Sequence, residues 1–305
     1  MKWVRRIGIV LLVFVAGAAA ILLGMSEWTI RRDRGAPLPP IVADRSPAGI
    51  AEGERLARIS GCLGCHGPNG NGVALVDEPV FAVLTAPPLA EVAMRASDAE
   101  LARTIRSAVA RDGGALWIMP PHAQLADDDT ARIIGFLRTL KPSPRDLARR
   151  RSFGPLSRLA MVGGGFRPTS QSEIAAATRR PADVGRYFAT GTCLGCHDLH
   201  EPRHAGRDEV APPLGMMVAA YDDAAFRTLL RTGIGASGKS LGLMTEVSRS
   251  GLRHFTDQEI AAIRAYLIKA GAGGPPAQGD RTADRGAPVA PPASLTGSGR
   301  PSPAG

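Results

Sequence analysis

Apolar positions run unbroken from Ile7 to Gly24, a stretch of 18 residues without a charge. As a helix this run is about 27 Å long, enough to cross the hydrocarbon core of a bilayer. Lys2, Arg5 and Arg6 precede it. Ala16-Gly17-Ala18 has the small side chains of a signal-peptide cleavage site, but Ile21, Leu22 and Leu23 carry the apolar run past it. A retained anchor is therefore expected, with Trp28 at the interface. Farther along, apolar residues recur at helical spacing: Ile133, Ile134, Leu137 and Leu140, then Ile260, Ile263 and Leu267. Ser97-Asp98-Ala99-Glu100 and Thr256-Asp257-Gln258-Glu259 have the form of capping boxes that open helices. Short helices are also predicted over 50–60 and 181–189, with Pro181 at a first helical position. No stretch alternates convincingly with the period of a strand, so the expected fold class is all-α.

The helical pattern occurs twice. Cys62-Leu63-Gly64-Cys65-His66 recurs as Cys193-Leu194-Gly195-Cys196-His197, and Ala86-Pro87-Pro88-Leu89 as Ala211-Pro212-Pro213-Leu214. Arg106 then matches Arg231, Met119 matches Met244, and Phe136-Leu137 matches Tyr266-Leu267. Two copies argue for duplicated domains, since a solenoid needs more repeats. The predicted organisation is an anchor and Pro-rich stalk over 1–50, a first domain over 51–141, a linker over 142–180, a second domain over 181–271, and a tail over 272–305. The tail is Gly, Pro, Ala and Ser with almost no large apolar groups, a composition that stays disordered.

Charge narrows the classes of function. The chain carries a net +9, but residues 51–141 hold nine basic and eleven acidic side chains, and residues 181–271 hold ten of each. The excess lies in the leader and the linker, so no nucleic-acid-binding domain is expected. The linker is basic at Arg149, Arg150 and Arg151 and then Gly-rich at Gly163, Gly164 and Gly165. That is the composition of a hinge on which the second domain swings toward a soluble partner, with the basic stretch placed to rest on anionic lipid. The alternative is two domains packed face to face as one rigid unit.

All four cysteines belong to the two Cys-x-x-Cys-His motifs. Two thiols three positions apart can add to the two vinyl groups on one edge of a porphyrin, while the adjacent histidine presents its imidazole to the iron. Zinc would want four Cys or His ligands at each site, and a redox dithiol usually sits in a strand-rich fold. Cys62, Cys65, Cys193 and Cys196 are thus read as attachment points for two covalent haems, and His66 and His197 as iron ligands. Only 5% of the chain is aromatic, and a large buried cofactor would supply missing apolar mass to such small domains. Met119 and Met244 hold equivalent places in the repeat and are the candidate sixth ligands. His254 is the rival to Met244. His122, His200 and His204 are read as surface residues. Carbonyls near Pro88 and Pro213 are candidates to accept the other imidazole N–H. Arg106 and Arg231 are candidates to pair with haem propionates, or else form a solvated helix face.

On these motifs the sequence resembles the class I c-type cytochrome family, most closely membrane-anchored bacterial dihaem cytochromes, over 51–141 and 181–271. The resemblance implies two small all-α domains, haem c with His/Met iron, and assembly in the periplasm with the anchor in the bacterial inner membrane. The implied function is electron transfer, from a dehydrogenase or membrane complex to a terminal oxidase or soluble carrier, rather than catalysis. A dihaem peroxidase is the alternative.

Overall fold

The computed structural model describes residues 2–32, 34–142, 147, 150–170, 177–205 and 209–273. From 274 onward the expected tail lies outside the described residues, as does Arg149 of the basic stretch. Helix α1 (Lys2–Arg31) spans the apolar run, and it is long and apolar enough to cross a membrane, a property that anchors and signal sequences share. Its side chains are exposed along the run except at the half-covered Leu22, and Ser26 and Ile30 in the last two turns are buried against the rest of the chain.

The first copy contains α2 (Pro47–Ile59), α3 (Cys62–Cys65), strands β1 (Val73–Glu78) and β2 (Ala82–Ala86), and helices α4 (Leu89–Arg95), α5 (Asp98–Ser107) and α6 (Asp127–Leu137). Ser46 caps α2 by accepting from the Gly49 amide at 3.0 Å. The predicted capping box opens α5: Ser97 Oγ accepts from the Glu100 amide at 3.2 Å, and Glu100 accepts from the Ser97 amide at 2.7 Å. Helices α2 and α6 cross where Gly53 meets the Arg132 carbonyl, so closely that a Cβ at Gly53 would overlap that oxygen.

The second copy repeats much of this order and adds a helix before its last one. Helix α8 (Val184–Phe188) runs into a π turn, Ala189–Cys193, and is followed by strands β4 (Arg203–His204) and β5 (Val210–Ala211). Then come α9 (Leu214–Ala219), α10 (Asp223–Thr232), α11 (Leu243–Ser250), a 3₁₀ turn (Leu252–His254) and α12 (Asp257–Ala272). The isolated bridge Val109–Ala115 recurs as Ile234–Ser240. The helix crossing recurs too, because Gly185 of α8 lies against the Ala262 carbonyl of α12. The expected start at Pro181 is corrected: the helix begins three residues later, where the Asp183 carboxylate accepts from the Arg186 amide at 2.9 Å. Gly53→Ala and Gly185→Ala should each destabilise their own helix crossing by about 1–3 kcal/mol, read as a lowered denaturation midpoint.

The chain is mostly helical, but the expectation of no strands is wrong. β1 and β2 form an antiparallel hairpin, Val73 opposite Ala86 and Glu78 opposite Ala82. Its third strand, β3 (Arg151–Phe153), comes from the linker and pairs with β2. β2 is buried at four of its five positions, so it reads as a short apolar run without alternation and carries no strand signature in the sequence.

The hinge expectation is also corrected. Helix α7 (Pro155–Val162) of the linker packs along the end of α1, and Ile30, Trp117 and Met161 form a small apolar cluster with Phe153 and Phe166. The two copies share one continuous apolar core, in which Leu56, Ile59 and Leu125 of the first belong with Tyr187, Phe188, Leu252 and Phe255 of the second. Around this core runs an ionic seam. Arg55 of α2 bonds Glu259 of α12 at 2.7 Å, while Arg180 bonds both Asp129 and Glu52 at 2.7 Å. The arrangement is reciprocal. The turn before Cys62 lies on the segment after α11, with Gly251 against the Arg58 carbonyl. The turn before Cys193 lies on the segment after Met119, with Gly191 against Gln124.

Candidate haem sites

Each Cys motif starts where its leading helix ends. In the first copy Gly61 takes a left-handed conformation, φ 76°, which breaks α2 and lets the chain turn back into α3. The His66 amide closes that turn on the Cys62 carbonyl at 2.8 Å. This aims the imidazole at the segment ahead of α4, where His66 Nδ1 lies 2.7 Å from the Pro87 carbonyl oxygen. A carbonyl only accepts, so Nδ1 carries the proton and the lone pair is left on Nε2, free to bind a metal. The second copy repeats the contact: His197 Nδ1 is 2.8 Å from the Pro212 carbonyl oxygen. Burial lowers the pKa of both rings, against the carbonyl contact, and favours the neutral, ligating form.

None of the four cysteines is joined in a disulfide, and Cys62 and Cys193 both pack against the core shared by the two copies. Burial pushes the Cys62 thiol up to about 12 and the Cys193 thiol up to about 11, which makes them poor redox dithiols. Among the described residues no three His, Cys, Asp or Glu side chains gather to hold a metal, so the zinc alternative has no ligand set there. The residues fit haem in a further respect. Arg106 Nε and Trp117 Nε1 are buried donors without a partner, the kind of group that a propionate carboxylate would accept from.

The other sequence-predicted residues fall as follows. Met119 is half-buried on the bend ahead of α6, and its carbonyl accepts from Thr169 Oγ1 at 2.6 Å. Met244 is half-buried on the first turn of α11 and packs against the shared core. Arg106 and Arg231 are neither solvated faces nor free cations. Arg106 bonds Asp127 at 2.5 Å and Arg231 bonds Asp257 at 2.8 Å, equivalent pairs that tie α5 to α6 and α10 to α12. His254 is half-buried, and its carbonyl accepts from Arg55.

His122 was expected at the surface and is instead buried, because its amide bonds the Ile105 carbonyl and draws it under α5. Burial pushes its imidazole from 6.5 down to about 4. The unfolded chain therefore takes up a proton near pH 6.5 that the folded chain refuses. The stability this represents is present above pH 6.5 and is lost as the pH falls toward 4, on the order of 3 kcal/mol. His122→Gln should flatten that part of the stability-against-pH curve in chemical denaturation.

Residues 50–141 match the family model described as Cytochrome c. This segment is a class I cytochrome c domain. The match embraces Cys62, Cys65, His66 and Met119, and the family implies covalent haem c with iron and haem-based electron transfer. No curated protein matches the chain. The polar seam that joins the cytochrome c domain to the second copy was missed by sequence reasoning. Asp129 is one of three consecutive acidic residues in the first turn of α6, a common arrangement beside the positive end of a helix dipole. Nothing in a single sequence pairs it with Arg180 and Tyr187.

Proposed function

We propose that the chain is a membrane-anchored dihaem electron carrier. In this reading, 51–141 and 181–271 are two cytochrome c domains with haem c on Cys62 and Cys65 and on Cys193 and Cys196. His66 and Met119 hold one iron, and His197 and Met244 the other. The observation that carries it is the repeated imidazole geometry: both motif histidines place Nδ1 on a proline carbonyl, 2.7 Å and 2.8 Å away, in a segment the family match does not reach as well as in the one it does.

Haem supplies an iron that takes up and gives back one electron. The chain's own groups prepare that exchange. The thiols would hold the haem covalently, the carbonyl-bonded imidazole would bind its iron in a fixed orientation, and the methionine would leave no iron position open to substrates. Met/His ligation belongs to electron-transfer cytochromes and raises the potential. Cys62 and Cys193 both pack at the shared core, so haems held there would be attached near one interface, which would favour passage from copy to copy within one molecule. Covalent haem of this kind is attached outside the bacterial cytoplasm, so in this reading α1 anchors the chain with both copies in the periplasm, between a dehydrogenase or membrane complex and a terminal oxidase or soluble carrier.

Redox titration of the purified full-length chain followed by absorption tests the reading. Two one-electron steps with both irons six-coordinate and low-spin, and no turnover of hydrogen peroxide, are expected. A high-spin, open iron with peroxide turnover would replace the carrier by a peroxidase.

A further inference from the structure

Four of the exposed apolar residues outside α1 gather on one face. Leu156, Leu159 and Val162 are 54%, 60% and 40% exposed, all on α7, and lie away from its buried residues Ser157 and Met161. Val80, at the turn between β1 and β2, is 62% exposed and adjoins them, since the Leu156 amide bonds the Val80 carbonyl at 3.1 Å. The position of this face relative to α1 is fixed. Arg158 donates to Ser26 Oγ at 2.8 Å and to Glu27 at 2.9 Å, and three residues on, Met161 packs with Ile30. Helix α7 thus runs alongside α1 in the same direction. Its first residues, Pro155 and Leu156, and the Val80 turn point back toward the apolar run of α1. Leu22 is already half-covered while Ile21 and Leu23 are exposed.

We infer that α7 and the Val80 turn form a second membrane contact: an apolar face that lies in the lipid interface beside the anchor and fixes the tilt of the first cytochrome domain. The occupant is lipid because the face continues the surface of α1 at the level where its apolar run ends. Trp28, 63% exposed and covered by the Arg32 guanidinium at 4.8 Å, marks the same level. Arg151, exposed on β3, adds a positive charge that suits anionic headgroups. A helix with one apolar face and a charged flank lies in such an interface without spanning it. This inference rests on the reading of α1 as a retained anchor.

The test uses the full-length, haem-loaded chain in vesicles of phosphatidylcholine and phosphatidylglycerol. Spin labels are placed on single introduced cysteines at Leu156→Cys, Leu159→Cys and Val80→Cys, with Val13→Cys inside the apolar run and Met216→Cys on the far second copy as references. Collision with oxygen, which enters lipid, is compared with collision with a water-soluble nickel chelate. The labels at 156, 159 and 80 should show a several-fold higher oxygen-to-nickel ratio than the label at 216, and a lower one than the label at 13. Equal ratios at 156 and 216, with the label at 13 still in lipid, would overturn the interfacial face and leave the anchor standing. Immobile labels shielded from both reagents would put a protein surface, such as a second copy, on this face, and would also overturn it. A label at 13 exposed to nickel would remove the anchor and this inference together.

Discussion

Asp129→Ala should loosen the two copies from each other while leaving both Cys motifs intact. Asp129 is fully buried. Its carboxylate accepts from Arg180 at 2.7 and 2.8 Å, from Arg132 at 2.8 Å and from the Tyr187 hydroxyl at 2.9 Å. Burial, and then the charge of Asp129, push the Tyr187 phenol well above its usual range, so it stays a neutral donor. Removing the carboxylate leaves a partly buried guanidinium and a buried hydroxyl without their main acceptor. Breaking a buried pair from one side costs about 3–5 kcal/mol. The denaturation midpoint should fall accordingly, and amide exchange should rise at 125–130 and 183–189 together. The neighbouring Glu52 is less critical. Burial raises its pKa, but the hydrogen bonds and charges of Arg55 and Arg180 outweigh this and hold it at about 2, so its contribution persists above pH 4.5 and is lost as the pH falls through 2. An Asp129→Ala chain with an unchanged midpoint and unchanged exchange would show that the apolar core alone joins the copies.

Met119→Ala should cost one iron its sulfur ligand. The sulfur-to-iron absorption band of the oxidised protein should lose about half its intensity, and one potential should fall by on the order of 0.1 V or more, within the ~0.8 V that axial ligation spans. Met244→Ala should remove the other half, and the double variant the whole band. The direction follows from the thioether, which favours the reduced iron relative to stronger donors. His122, three residues from Met119 in sequence and buried, is a candidate replacement ligand, and its capture of the iron would give a six-coordinate spectrum without the sulfur band. An unchanged band in Met119→Ala would take the ligand role from that residue, and an unchanged band in Met244→Ala would pass the second role to another residue, with His254 tested next.

The parts of the molecule legible in the sequence are those dictated by local chemistry. The side chains of Ser97 and Thr256 with glutamates three residues on specify helix starts, and both boxes are present. The proline segments ahead of α4 and α9 meet the motif histidines because a ring fixed by the Cys turn reaches only that far. What was illegible depends on distant partners. β2 is a strand because β1 and a linker segment some seventy residues away cover its two edges. Glu259 serves twice, as the third residue of a capping box and as the partner of Arg55, and only the first role has a local signature. The glycines of the linker suggested freedom, but Arg158 and Met161, between the basic stretch and those glycines, anchor it to α1. Val80 and Leu156 meet only once β3 has docked.

In this reading the second copy carries haem as the first does. Intact-mass spectrometry of the denatured full-length chain, produced with its haem-attachment machinery, measures this directly, because thioether-bound haem survives unfolding. The expected mass is that of the polypeptide plus two haems, falling to one haem in either Cys62→Ala/Cys65→Ala or Cys193→Ala/Cys196→Ala. A fully matured chain with a single haem, lost on replacing Cys62 and Cys65 and retained on replacing Cys193 and Cys196, would confine haem to the first copy and rule out a dihaem carrier.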